Sequence, residues 1–317
     1  MIAEPFQTAC VVIFFVVQST AMKEIISFDN LSDIGPVATG PLPRQTQCPR
    51  WAQVEEIDLS TLPPVKTWEC LRTPEPITVD GRLDESVWSR VPWTESFGMM
   101  HDGSPTPYET RLAMVWDDDN LYVAYRVEDP DIRATMTGFN DHIYMKDEDV
   151  EFFFAGDGYY YEMGLNALNN GYQIRWTWVE RLVREQRFEE LEELLKVPDV
   201  LYYLARKNER LGRHADLSYQ LPGLRHAVRV DGCINCPGMK DKGWTVELAL
   251  PWSGLKQVAG GLPLPPSPGD VLRMTAYRCH HDREKRRAKG WTWSVMGNDN
   301  IHIPERWNRI VFSERNA

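Results

Sequence analysis

The sequence predicts an all-β protein, an antiparallel β-sandwich of the jelly-roll or immunoglobulin-like kind with a short helical insertion. The first observation is the stretch 111–127, in which apolar residues alternate on both sides of the acidic segment 117–120. A period of two is typical of β-strands, and four turn-forming residues between two such runs indicate a hairpin. The second observation is a series of short β-forming runs separated by Gly, Pro and Asp turns, which is the pattern of a sandwich.

The remaining elements are predicted in chain order from their local patterns. Residues 77–79 form a short apolar run before an Asp-Gly turn, and residues 84–88 begin with acidic residues, which favour the first turn of a helix. Further runs of β-forming residues predict strands at 150–154, 159–165, 175–178, 227–230, 244–250, 271–277 and 309–312.

One segment departs from the strand pattern. Between residues 183 and 211 apolar side chains recur at three- and four-residue spacing, which is typical of helices, and Pro198 interrupts the pattern. The sequence therefore predicts two short helices within an insertion at 183–221. Packing on the sandwich rim is the preferred interpretation, and a partner-binding arm is the alternative.

Composition restricts the classes of partner. The 317 residues fit one large domain or two small ones and are sufficient to bury a substantial core. The chain carries 35 basic and 46 acidic residues, a net charge of -11. Nucleic-acid binding requires a basic surface, so we expect no nucleic-acid partner.

The N-terminal region contains a candidate secretory signal, followed by an extended segment that leads into the sandwich. The apolar run at 9–17 is too short to span a bilayer, so we expect no membrane partner, but it suits the core of a secretory signal. No basic residue precedes the run and Glu4 does, so the signal is atypical, and Met22 is an alternative start. We predict a possible signal at 1–22, an extended lead-in at 23–70 and a β-sandwich at 71–317. A secreted or extracytoplasmic location is expected, with the cytoplasm as the alternative.

Cysteine spacing supplies one motif. Cys233 and Cys236 form a CxxC pair, but Pro237 stands where a haem attachment site requires His. A zinc site needs two more ligands, and the clustered candidates lie at 279–281. The preferred interpretation is a turn whose loop carries two cysteines.

Five motifs together resemble the family 9 carbohydrate-binding modules. The resemblance runs from near residue 77 to residue 312, and no single motif carries it alone. It implies a DOMON-like β-sandwich that binds a mono- or oligosaccharide without catalysis, is often appended to glycoside hydrolases of carbohydrate catabolism, and can hold structural calcium. The motifs are VDGRLDESVW at 79–88, WDDDNLYVA at 116–124, DVEFF at 149–153, KGWTVELALPW at 242–252 and PERW at 304–307.

The resemblance also implies sugar contacts at individual residues. Glu151 matches the glutamate of the family's Val-Glu-x-Phe strand, and Asn166 matches an asparagine on the next strand; both contact sugar in the family. A carboxylate and an amide together accept from and donate to vicinal hydroxyls. The two sugar-clamping tryptophans of the family fall near Met145 and Ile301, which have no aromatic ring. Substitute aromatic faces are Tyr144, Trp176, Trp178, Trp291 and Trp293, and we take Tyr144, Trp176 and Trp293 as site residues with Glu151 and Asn166.

Acidic clusters are candidate calcium ligands, because calcium prefers six to eight oxygen ligands. The acidic turn at 117–119 is explained by turn preference alone. The cluster at 147–149 crowds like charges, which is unfavourable without a cation or hydrogen bonds. We therefore assign a structural calcium ion to Asp147 and Asp149.

Two alternatives to a sugar-binding module remain open. One is a structural or interaction domain that kept the fold and lost the sugar site, which the missing tryptophans favour. The other is a glycoside hydrolase acting on O-glycosyl compounds, which would use two carboxylates placed across a cleft. Its candidate acids are Asp149 or Glu151 with Glu162 or Glu247.

Overall fold

The computed structural model describes residues 59–178, 181–182, 185–190, 193, 202–203, 213–282 and 287–317. The predicted signal, the predicted lead-in up to residue 58 and much of the predicted insertion lie outside the described residues. In the described part no helix has the length and apolar character needed to cross a membrane.

The described residues are mainly β-strand, so the predicted fold class is confirmed. The strands are β1 (Thr67–Arg72), β2 (Gly98–Met99), β3 (Thr110–Trp116), β4 (Asn120–Glu128), β5 (Asp149–Ala155), β6 (Tyr159–Asn166), β7 (Gly171–Trp178), β8 (Tyr202–Tyr203), β9 (Arg213–Asp216), β10 (Arg225–Asp231), β11 (Gly243–Pro251), β12 (Val271–Asp282), β13 (Arg287–Thr292) and β14 (Asn308–Asn316). The helices are α1 (Val87–Arg90) and α2 (Trp252–Ala259), with 3-10 turns at Leu59–Thr61, Ile143–Met145 and Pro304–Arg306.

The strands follow one hydrogen-bonded path that folds into two packed layers. Its order is β10-β11-β4-β3-β1-β14-β12-β5-β6-β7-β9-β8, with β13 and β2 attached beside β12. Most pairs are antiparallel, but β1 is parallel to both β14 and β3. Apolar side chains from β3, β4 and β11 form a single core cluster with those from β5, β6, β12 and β14. The two halves of the path therefore face each other as a sandwich.

The hairpin predicted at 111–127 is confirmed as β3 and β4. The carboxylate of Asp117 accepts hydrogen bonds from the backbone N–H groups of Asp119 and Asn120 and closes the turn. The apolar residues of the alternation face the sandwich core. The opposite face is also buried, because α1 and the segment before it cover Val115 and Ala124. Both strands are therefore buried on both faces in the part next to the turn, whereas the alternation alone indicates half-buried strands.

Three other expectations are corrected. Residues 77–79 form no strand; Ile77 packs in the cluster beneath α1, and the N–H of Thr78 donates to Glu85. The last residues of the predicted lead-in belong to the sheet as β1. Within the predicted second helix of the insertion, Tyr202–Tyr203 is a short strand paired with β9.

Candidate functional site

The two faces of β5 have different surroundings. Val150, Phe152 and Phe154 belong to the core between the two layers. Side chains alternate along a strand, so Asp149 and Glu151 project from the opposite face. The candidate site lies on this outer face.

Neighbouring strands extend the face in register. Glu151 pairs with Tyr277 of β12 on one side and with Gly164 of β6 on the other, and Gly164 pairs with Tyr172 of β7. A Cβ atom at Gly164 would lie 2.5 Å from Cε1 of Tyr172. Because such a contact is too close, glycine is required there to let the Tyr172 ring lie across β6.

A cavity of about 490 Å³ opens above this face. Strands β5, β6, β7 and β12 form its floor, and the loops before β3 and β14 contribute to its walls. Its lining includes carboxylates, aromatic rings and apolar side chains; the members used below are Glu151, Glu162, Trp176, Tyr144, Tyr277 and His302.

Glu162 is the most extensively bonded acid of the cavity. Its carboxylate accepts hydrogen bonds from the Tyr172 hydroxyl at 3.0 Å and from Trp176 Nε1 at 2.6 Å. Burial raises the pKa of Glu162 to about 7, and these two hydrogen bonds only partly oppose the rise. His302 Nδ1 lies 3.7 Å from the carboxylate, and burial holds the pKa of His302 well below its ordinary value. The carboxyl group therefore changes its protonation near neutral pH beside an uncharged imidazole.

Two further buried acids lie beside Glu162. Burial raises the pKa of Glu151 well above its ordinary value, and the charges of Asp149 and Glu162 raise it further. Burial also raises the pKa of Asp149, with the backbone N–H of Cys279 opposing the rise. Glu151 lines the cavity, whereas Asp149 lies beneath it. The site therefore presents carboxyl groups that both donate and accept hydrogen bonds.

The aromatic side chains differ in what they offer a ligand. The ring of Trp176 stacks on Tyr160 at 5.5 Å, and the Arg213 guanidinium lies over it at 4.7 Å. Trp176 therefore presents mainly its edge to the cavity. Tyr144 and Tyr277 also line the cavity, and both are half-buried. They are the aromatic rings best placed to contact a ligand.

The structure brings together three of the five predicted sugar-site residues. Glu151, Tyr144 and Trp176 line one cavity. Asn166 lies on the same strand face, but its amide donates to Asp147 and to the Met136 carbonyl. Asn166 therefore connects the loop between β4 and β5 to the sheet, and it does not line the cavity.

Trp293 lies elsewhere. Its ring is buried in the core between the two layers, where it packs edge-on against Trp68 at 5.6 Å. It does not line the cavity with Glu151, so the structure does not place these two predicted site residues together.

Hydrogen-bond donors surround Asp147, one of the two predicted calcium ligands. The carboxylate of Asp147 accepts hydrogen bonds from the backbone N–H groups of Thr135 and Met136, from the Thr135 hydroxyl and from Asn166. These donors occupy the positions that a cation would need. Across the described ranges, no three His, Cys, Asp or Glu side chains are grouped to hold a metal ion. The residues do not fit calcium at Asp147, and calcium at Asp149 stays a prediction.

Cys233 and Cys236 form a disulfide in the loop after β10. Cys279, one of the proposed additional zinc ligands, is buried on β12, where its thiol donates to the Tyr144 carbonyl. The interpretation as a cysteine-bearing loop is therefore preferred over the zinc site.

From the sequence, the cavity acid Glu162 was expected to act only in a hydrolase, and no role was expected for Tyr172 or Tyr277. The signal for Glu162 was its place in a strand between apolar neighbours, where an acid is unusual. The two tyrosines enter the site through strand register, which a single sequence does not reveal. Glu247, the other hydrolase candidate, lies on β11 in the other half of the sandwich and does not line the cavity.

The fold and the cavity define a β-sandwich with a polar, aromatic-lined site on the outer face of one sheet. Residues 79–186 match the family described as carbohydrate family 9 binding domain-like. The chain therefore contains a domain similar to the family 9 carbohydrate-binding domains, and the resemblance drawn from the five motifs is confirmed.

Several solved structures are similar to the chain at low sequence identity. A candidate carbohydrate-binding protein from Bacteroides uniformis is 16% identical, with a TM-score of 0.53, over 78% of this chain and 100% of that chain. A family 9 carbohydrate-binding module from Caldicellulosiruptor kristjanssonii, in complexes with glucose and with cellotriose, is 15% identical with a TM-score of 0.46. The coverage is 79% of this chain and 97% or 95% of those chains. No curated protein matches the chain significantly.

Proposed function

We propose that this protein binds a mono- or oligosaccharide in the cavity above β5, without catalysing its hydrolysis. The observation that carries the proposal is the position of Glu151 in one cavity with Tyr144 and Tyr277. Carbohydrate sites combine apolar ring faces with a few fixed polar groups. A carboxyl group that lines the same cavity as two aromatic rings meets this requirement.

The chemistry of the floor supports a neutral sugar. Burial raises the pKa values of Glu151 and Glu162, which favours their uncharged forms. An uncharged carboxyl donates one hydrogen bond and accepts others. Sugar hydroxyls likewise donate and accept, so the two kinds of group satisfy each other without a buried charge.

The test is calorimetric titration of the whole protein with glucose and cellotriose, the ligands present in two of the similar structures. Replacing Glu151 with Ala should weaken binding about tenfold, because it removes a hydrogen bond to the sugar that contributes about 1.5 kcal/mol. Glu69→Ala is the matched control, since Glu69 is an exposed acid paired with Arg315. Wild-type protein that binds neither these sugars nor any other neutral saccharide would support the alternative of a structural domain.

The hydrolase alternative is favoured by one specific observation. Glu162 has a pKa of about 7, as a general acid requires, and shares its cavity with Glu151. Release of reducing sugar from an oligosaccharide, lost on Glu162→Gln, would establish hydrolysis. Binding without release would support the module.

The proposal extends to cellular context. We place the protein outside the cytoplasm, in association with a glycoside hydrolase of carbohydrate catabolism. The disulfide between Cys233 and Cys236 supports an oxidising compartment, since disulfides persist mainly there. Fractionation of the producing cells would test the location, and co-purification would test the association.

A further inference from the structure

A row of arginine side chains crosses the opposite half of the sandwich. Arg229 of β10 pairs with Thr245 of β11, and Thr245 pairs with Arg126 of β4. Arg126 in turn pairs with Arg111 of β3. Residues directly opposite in neighbouring strands project from the same face. The three arginines therefore lie on one face at intervals of one and two strand spacings, about 5 and 10 Å.

This row forms the floor of a groove of about 610 Å³, called here the arginine groove. The groove shares no lining residue with the cavity above β5. Its five cations outnumber its three carboxylates, in a protein whose net charge is -11. The cations are Arg82, Arg111, Arg126, Arg229 and Lys242, and the carboxylates belong to Glu109, Glu128 and Asp231.

Two of the arginines lack carboxylate partners. Arg126 and Arg229 are exposed, and neither forms an ion pair with an acid in the described part of the chain. The Arg126 guanidinium lies over the Trp93 ring at 4.0 Å. Stacking of this kind orients a guanidinium and leaves its N–H edge free for an anion.

The other three cations are paired at the surface. Arg111 contacts Glu109 at 2.9 Å, and Lys242 contacts Asp231 at 3.0 Å. Arg82 contacts Asp80 at 3.2 Å. Exposed ion pairs of this kind contribute little to stability. These cations are therefore able to exchange their partner for a ligand anion at small cost.

We propose that the arginine groove binds an acidic polysaccharide of the polyuronate class, in which every sugar carries a carboxylate. Guanidinium groups bind carboxylates through paired N–H donors. Arg111 and Arg126 are one strand spacing apart, about 5 Å, which is close to the length of one sugar in an extended chain, and Arg229 lies about 10 Å further along. Carboxylates on the first, second and fourth sugars of a polyuronate therefore lie opposite the three arginines.

The carboxylates of the groove distinguish this ligand from other polyanions. Glu109, Glu128 and Asp231 repel the charge of any polyanion, so a ligand of this groove also needs groups that donate hydrogen bonds to carboxylates. A polyuronate also carries hydroxyl groups, which donate to carboxylates. A mixed lining of guanidinium and carboxylate groups thus suits a chain that bears both carboxylates and hydroxyls.

The experiment measures binding of a galacturonate hexamer to the full-length protein at several salt concentrations. The methyl ester of the same hexamer is the matched ligand, because it keeps the backbone and removes the charge. We expect the hexamer to bind with an affinity that falls as salt rises, and its methyl ester to bind at least tenfold more weakly.

The variants distinguish the loss of arginines in the groove from the loss of positive charge elsewhere on the surface. The double variant Arg126→Gln with Arg229→Gln should lose at least tenfold in affinity and show a weaker salt dependence. The control Arg133→Gln with Arg315→Gln removes two exposed arginines outside the groove and should bind as wild type does. If the double variant fails to fold, Arg126→Lys with Arg229→Lys keeps the charge and should show a smaller loss.

Several results would overturn the proposal. They are no binding of the hexamer by the wild-type protein, equal binding of its methyl ester, and equal losses in the groove and control variants. Tighter binding of a sulfated glycan or of single-stranded DNA would assign the groove to another polyanion. Sugar binding in the cavity above β5 is measured separately with glucose, so failure of one proposal leaves the other intact.

Discussion

At the scale of single residues, Arg278 forms a buried ion pair with Glu148. This side chain is fully buried, and its guanidinium donates to Glu148 at 2.7 Å and to the Glu128 carbonyl at 2.8 Å. Burial alone would raise the pKa of Glu148, but hydrogen bonds from His280 and Arg278 lower it to about 2. Arg278 and Glu148 therefore form a charged pair in the interior, and removal of either one would leave the other as an unpaired buried charge.

Replacing Arg278 with Met should destabilise the fold by about 3–5 kcal/mol, because it leaves the Glu148 carboxylate buried without its cation. The measurement is urea denaturation near neutral pH. Arg315→Met is the control, since the exposed pair of Arg315 with Glu69 should contribute at most about 1 kcal/mol. Equal losses in the two variants would contradict this account.

The pKa of Glu162 predicts a pH dependence of opposite sign to that of Glu148. The folded value of about 7 lies above the ordinary value of 4.5, so the folded state binds the proton more tightly than the unfolded state. The contribution to stability is complete below pH 4.5 and is lost as pH rises through about 7. The loss is on the order of 3 kcal/mol, at about 1.4 kcal/mol per pKa unit.

The measurement is the free energy of unfolding of wild type and Glu162→Gln between pH 5 and pH 8. The wild-type stability should decline more steeply with rising pH than that of the variant, because Gln does not titrate. Parallel profiles would contradict the assignment of the raised pKa to Glu162.

At the scale of elements, Glu247 attaches the segment around α1 to β11. One oxygen of its carboxylate accepts the backbone N–H groups of Asp80 and Gly81 at 3.0 and 2.7 Å. The other accepts Nε1 of Trp88 at 3.0 Å. A single side chain thus holds both the turn before α1 and the helix itself against the outer face of the sheet.

Glu247→Ala should leave the sandwich folded and release this segment locally. Amide hydrogen exchange at Asp80 and Gly81 should accelerate at least tenfold, which corresponds to about 1.4 kcal/mol of local stability, while exchange in β5 stays slow. Glu69→Ala, at an exposed acid, is the control. Uniform acceleration over all strands would show a global effect instead.

Elements whose signal is local were predictable from the sequence. The hairpin of β3 and β4 has an alternation and a turn within 20 residues, and it was confirmed. Strand β1 was missed, because its pairing with β14 comes from the far end of the chain. The alternation in β3 also could not show that α1 would bury the second face.

The candidate site also contains residues that a local pattern identifies and residues that only the tertiary structure brings in. Glu151 follows from a short motif and lies in the cavity, as Tyr144 and Trp176 do. Glu162 and Tyr277 line the cavity because β6 and β12 lie beside β5, and no local pattern specifies which strands are neighbours. Asn166 lies on the same face of the sheet as Glu151, but the loop partners that occupy its amide come from tertiary structure.

At the scale of the whole molecule, β1 joins the two halves of the sandwich. In the described sheet it lies between β3 and β14, and the hydrogen-bonded path from one half to the other passes through it. Its buried residue Cys70 contributes to the core between the layers. Removing β1 would leave two strand edges unpaired and a gap in that core.

A chain of residues 73–317, which lacks β1, should therefore lose cooperative unfolding and bind a hydrophobic dye. A chain of residues 59–317 keeps β1 and serves as the control. Thermal denaturation followed by near-ultraviolet circular dichroism distinguishes the two. A cooperative transition in the chain without β1 would contradict the joining role of this strand.

The parallel pairing of β1 with β14 has a consequence for how the chain folds during synthesis. Hairpins such as β3–β4 and β5–β6 involve neighbouring segments and are able to form as soon as they leave the ribosome, whereas β1 waits for the last described strand. Until β14 emerges, one edge of β1 has no partner. Exposed strand edges and incomplete cores promote aggregation. The interval before β14 leaves the ribosome is therefore the period in which a nascent chain of this protein most needs a chaperone.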